Sequence, residues 1–180
     1  MKVQELGIEE MARVGATHRV IIKAEDINGV GTGFGALTAA AAAATTGTLK
    51  PFSTLAAGQM CQFVLGYLKT AFVKSSATAL TLTVGYDLGT GTDKSAGYQA
   101  AVSVMATGTP INYFPAEIAD PSDTTTTQAA VISTIKQNRK VFDDTNAVGV
   151  LFTSSTANLT DFTGAGEVHL YFRLNDFTTL

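Results

Sequence analysis

Residues 28–46 hold the glycines Gly31 and Gly33 in the spacing Gly31-x-Gly33-x-x-Ala36, the loose form of a dinucleotide-binding fingerprint. Such a loop cradles a pyrophosphate when a strand ends at its first glycine and a helix opens with its amides turned to the ligand. Here the apolar run Arg19-Val20-Ile21-Ile22-Lys23 gives way to Glu25, Asp26 and the turn pair Asn28-Gly29, so the strand stops well short of Gly31. About 20 residues further on, where an acid should meet a ribose, the chain reads Lys50-Pro51-Phe52. No alternation of strands and helices surrounds the motif. The segment therefore reads as a mobile loop running into a small-residue strand, whose alanine methyls permit close approach of a neighbouring layer.

Other chemistry is equally sparse. His18 and His169 are the only histidines and Cys61 the only cysteine, too few for a zinc site. Cys61 sits in an apolar run and reads as a buried, unreactive thiol. The aspartate pairs Asp87 with Asp93, Asp120 with Asp123 and Asp143 with Asp144 lack the ligand series of a calcium loop and read as turn formers. No serine lies in a Gly-x-Ser-x-Gly elbow, and no carboxylate pair among Glu117, Asp120 and Glu167 is singled out for glycosidase work. The expectation is a protein that is not an enzyme, with no catalytic, cofactor-binding or metal residues and no cofactor.

The elements that would position any site are strands. In Glu167-Val168-His169-Leu170-Tyr171-Phe172-Arg173-Leu174 every even position is apolar, the period of a half-buried strand. Leu80-Thr81-Leu82-Thr83-Val84 repeats it, and Val148, Val150 and Phe152 form a third inward set. Residues 59–73 carry apolar side chains on both faces, as in a central strand: Cys61, Phe63, Leu65 and Tyr67 on one, Val64, Leu68 and Phe72 on the other. Gly and Pro turns separate these runs at short intervals, which predicts an all-β, antiparallel sandwich or barrel. Residues 98–105 and 129–136 are ambiguous between helix and strand. Residues 1–17, with Glu5, Glu9 and Glu10 among Leu6, Ile8, Met11 and Val14, read as an N-terminal arm or short amphipathic helix, leaving 18–180 as one β-sandwich domain.

The chain has 180 residues, 46% of them hydrophobic and 15% charged, with a net charge of -3 and a mean hydropathy of +0.21. A surface so poor in charge suits burial against copies of itself or a partner. No basic run attracts nucleic acid, no apolar stretch approaches the ~20 residues of a membrane span, and the first residues lack the apolar core of a secretory signal. A single cysteine fits assembly in a reducing cytoplasm.

The run Tyr67-Leu68-Lys69-Thr70-Ala71-Phe72, the Thr-rich strand ending Val84-Gly85-Tyr86-Asp87, and Ala165-Gly166-Glu167-Val168-His169-Leu170-Tyr171-Phe172-Arg173-Leu174 together resemble capsid decoration, or cement, proteins of tailed bacteriophages. The likeness spans about residue 50 to the C-terminus. It implies a jelly-roll-like sandwich, commonly a homotrimer, that binds the outer face of an assembled head at junctions between major capsid protein subunits, with no catalysis. The virion surface is then its location. Related sandwiches also serve as head-fibre or tail components with receptor- or carbohydrate-binding roles.

Overall fold

The structure, a computed structural model, describes residues 1–74, 79–86, 94–105, 113–114, 139–142 and 146–177. Two antiparallel sheets pack their apolar faces on a common core. The first contains β1 (Lys2–Glu5), β2 (His18–Lys23), β4 (Gln59–Thr70), β7 (Tyr113–Phe114), β8 (Arg139–Val141) and β10 (Glu167–Asp176). Its order is β1-β2-β10-β4-β7, and β8 also pairs with β4. The second runs β3-β9-β5-β6, from β3 (Thr46–Leu55), β9 (Asn146–Ser154), β5 (Leu80–Tyr86) and β6 (Lys94–Ser103). The all-β antiparallel sandwich expected from the alternations is what forms.

β10 is the hinge of the first sheet. Its even residues Val168, Leu170 and Phe172 are completely buried, while its odd ones face outward, and it pairs with β2 on one side and β4 on the other. Opposite, β9 buries Val148, Val150 and Phe152 and pairs with both β3 and β5. Phenylalanines lock the layers together. Phe52 of β3 meets the ring of Phe172 edge-on at 5.2 Å and 82°, Phe63 lies 5.4 Å from Phe172, and Phe72 lies 5.7 Å from Phe152. Each such pair adds about 1 kcal/mol to its area of burial.

The two-sided appearance of β4 has a local cause. Cys61 and Phe63 point into the core, then the register against β10 slips between Tyr171 and Phe172. The bulge reverses the phase, so Gly66 and Leu68 become the inward residues and Leu65 and Tyr67 turn outward. β3, at the edge of its sheet, carries Pro51 within the register shift between Leu49 and Phe52, where a missing N–H costs no ladder bond.

One expectation changes and two open readings are decided. Residues 1–17 hold a strand and the short helix that their sequence allowed. β1 pairs with β2 from Lys2↔Ile21 to Glu5↔His18, and Met1, Leu6 and Ala16 are buried. The helix α1 (Ile8–Val14) that follows has no buried residue and ends at Gly15, whose φ of 74° only glycine adopts readily. The alanine run makes a one-turn helix, α3 (Ala39–Ala42), capped by Thr38 and burying Ala42, so the following strand begins only at Thr46. Residues 98–103, ambiguous in the sequence, belong to strand β6. The other ambiguous stretch, 129–136, lies outside the described residues.

Because Phe172 touches Phe52 across the layers and Phe63 on the neighbouring strand of its own sheet, Phe172→Ala should cost about 3–5 kcal/mol, read from the midpoint of chemical denaturation.

Candidate functional site

The glycine loop and the outer face of the first sheet meet at one place. After β2 the chain makes a single turn of helix, α2 (Ala24–Ile27), and Asn28 closes it. The buried Asn28 accepts the Val30 N–H at 3.0 Å through Oδ1 and donates Nδ2 to the Phe162 carbonyl at 3.1 Å. Its loop then folds back over α2. Gly31 N–H donates to the Glu25 carbonyl at 2.7 Å and Leu37 N–H to the Asp26 carbonyl at 2.8 Å. A Cβ on Gly31 would lie 2.6 Å from the Glu25 carbonyl oxygen, and one on Gly33 would lie 2.8 Å from the Met1 nitrogen. The fingerprint glycines thus make room for the protein's own backbone. Their geometry gives no phosphate cradle, because the Gly31 amide is already spent.

Beneath this loop lies Asp26, 4% exposed. Its carboxylate pairs with the Met1 ammonium through Oδ1 and accepts the Lys23 N–H at 2.8 Å through Oδ2. A buried carboxylate is tolerable only when so satisfied. The sequence gives no sign of this contact, since 25 residues separate the partners.

Outward from the loop a cleft of about 550 Å³ opens, lined by Lys2, Ile21, Lys23, Glu25, Lys69 and Glu167 together with Val30, Gly31, Thr32 and Gly33. A second, of about 410 Å³, lies beyond Val30 against Thr163, Gly164, Ala165 and Gly166. Cross-strand pairing places Lys2, Ile21, His169 and Tyr67 side by side over β1, β2, β10 and β4. Glu167 Oε1 accepts from His169 Nε2 at 2.6 Å and from Lys69 Nζ at 3.0 Å. The hydrogen bond from His169, with help from Lys69, holds the Glu167 carboxyl below its ordinary value despite partial burial. The trio is a hydrogen-bonded ladder on the sheet surface between β10 and β4.

The remaining candidates do not converge. His18 sits at the other end of β2, its ring edge-on to Phe52 at 5.8 Å and its Nδ1 2.8 Å from Thr17 Oγ1, on the core side of the sheet. Burial lowers its pKa, and Glu5 offsets part of the effect. Cys61 is fully buried, and burial pushes its thiol up to about 12, a hydrogen bond with Tyr98 opposing this. It is no nucleophile at neutral pH. Asp87, Asp93, Glu117, Asp120, Asp123, Asp143 and Asp144 lie outside the described residues. Among the described residues no group of three or more His, Cys, Asp or Glu is placed to hold a metal ion, and no helix is long and apolar enough to cross a membrane.

Removing the Asp26 carboxylate strands a buried ammonium and the Lys23 amide, so Asp26→Ala should lose about 3 kcal/mol in urea unfolding. His18 has a folded pKa below its ordinary value of 6.5, so its neutral ring favours the native state. That contribution is full above about pH 6.5 and is lost as the pH falls from there through the folded value. His18→Gln should therefore flatten the loss of melting temperature between about pH 7 and pH 5. Comparison with protein-family models, with curated proteins and with solved structures returns no match for this chain.

Proposed function

We propose that this chain is a structural virion protein, a capsid decoration or cement protein that sits on the outer surface of a phage head as a homotrimer and bridges major capsid subunits. The observation that carries the reading is where apolar side chains meet solvent. Ile8, Val30 and Phe34 are 82%, 73% and 66% exposed, and all three fall in the connections before β3. A side chain the size of phenylalanine gains about 2 kcal/mol when such a position is covered. The rigid sandwich behind them presents these residues without having to reorganise.

Connectivity supports the same reading. The orders β2-β10-β4-β7 and β3-β9-β5-β6 interleave successive strands between the layers, as in the jelly rolls of viral capsid and lectin domains. The mechanism is stapling: a copy bound across two shell subunits couples their dissociation, because either can leave only by breaking its contact with the bridge.

Light scattering of the purified protein should give a trimeric mass, and the protein should sediment with assembled empty heads. Phe34→Ser and Ile8→Ser, both at exposed positions, should reduce head occupancy about tenfold while leaving the melting temperature unchanged. A monomer that does not sediment with heads overturns the proposal, and binding to a glycan array in its place moves the chain to the fibre or tail reading.

A further inference from the structure

Among the described side chains, the outer face of the first sheet has a charge opposite to that of the whole chain. Among these side chains, five Lys and Arg project from its strands: Lys2 on β1, Arg19 and Lys23 on β2, Lys69 on β4 and Arg173 on β10. Among the described strand residues of that face, Glu167 is the carboxylate that answers them, and Lys69 and His169 already hold it. Two acids approach from the helices. Glu10 pairs with Arg19 at 3.2 Å, and Glu25 reaches Lys23 only at 4.0 Å. Lys2 is exposed and forms no ion pair among the described residues, while the Lys23 and Lys69 side chains remain 53% and 52% exposed despite their partners.

We propose that the cleft between this face and the glycine loop is a docking site for an extended acidic segment of a partner protein, with Lys2, Lys23 and Lys69 as its carboxylate contacts. The three lysines rim one cleft whose floor is the half-buried Ile21, and the loop residues Val30 to Gly33 form its opposite wall. From β1 to β4 the sheet spans three strand spacings, about 14 Å. An extended peptide covers that distance in about four residues, with alternate side chains on one side about 7 Å apart. Carboxylates at alternate positions therefore match the rim.

The charge pattern selects carboxylates over a phosphate backbone. The chain as a whole carries -3, Glu25 and Glu167 line the cleft together with Asp26, which the Met1 ammonium already holds, and the Gly31 amide is turned to the Glu25 carbonyl rather than to solvent. Nucleic acid binds through the release of many counterions along a continuous basic track, which three lysines interrupted by three acids do not offer. This assignment rests on the decoration reading, under which the acidic segment belongs to the outer surface of the shell.

The test uses the full chain and a fluorescein-labelled oligoglutamate peptide, followed by anisotropy at low ionic strength. The native protein should bind it, Lys2→Gln, Lys23→Gln and Lys69→Gln should each weaken binding about threefold, and physiological salt should weaken it further. Lys50→Gln, on the exposed side of β3 in the other sheet, should change nothing, and circular dichroism should show every variant folded. No binding at low ionic strength, an equal loss in Lys50→Gln, or equally tight binding of an oligothymidylate overturns the proposal. Heads that bind the protein while the peptide does not leave the decoration reading standing and remove this site. Peptide binding that depends on the three lysines, with no affinity for heads, does the reverse.

Discussion

The structure depends on the burial of one strand. β10 gives Val168, Leu170 and Phe172 wholly to the core while its backbone is paired on both sides, so its polar groups are satisfied and its apolar ones are dry. Everything in the first sheet takes its place from it. β2 is aligned by its register with β10 and brings β1 along, and β4 is aligned by the opposite edge and offers β7 and β8 their places. Phe172 then fixes the distance to the second sheet through Phe52.

This explains why the strands were legible in the sequence and the irregular parts were not. Alternation in β5, β9 and β10 is a direct image of one face packed and one face wet, and it needs no knowledge of partners. The apolar residues of β4 looked two-sided because a bulge changes their phase midway, and a bulge is a property of pairing that one strand's sequence does not carry. Residues 1–17 stay open in the sequence between an arm and a short helix because their few apolar residues are too weak to hold a helix alone. What orders them is the exposed edge of β2 and the Asp26 carboxylate, both outside the segment itself.

The candidate site was illegible for a related reason. Lys2, Lys23 and Lys69 are unremarkable in the sequence, and only the order β1-β2-β10-β4 gathers them on one face. The glycine pattern, in contrast, was visible at once and carried a different meaning. Its small residues answer a demand for space from Met1 and α2, the same physical need that a bound phosphate would impose. The space those glycines leave is filled by the chain that makes the loop.

The pairing of β2 with β10 also bears on how the molecule is made. These strands are neighbours in space yet about 145 residues apart along the chain, so the first sheet acquires its middle only after nearly everything else has been synthesised. A nascent chain on the ribosome would hold the β1–β2 hairpin with one edge open and its apolar face uncovered. High contact order of this kind slows folding, and the interval before residue 176 emerges is the time in which a helper or rapid assembly is most needed.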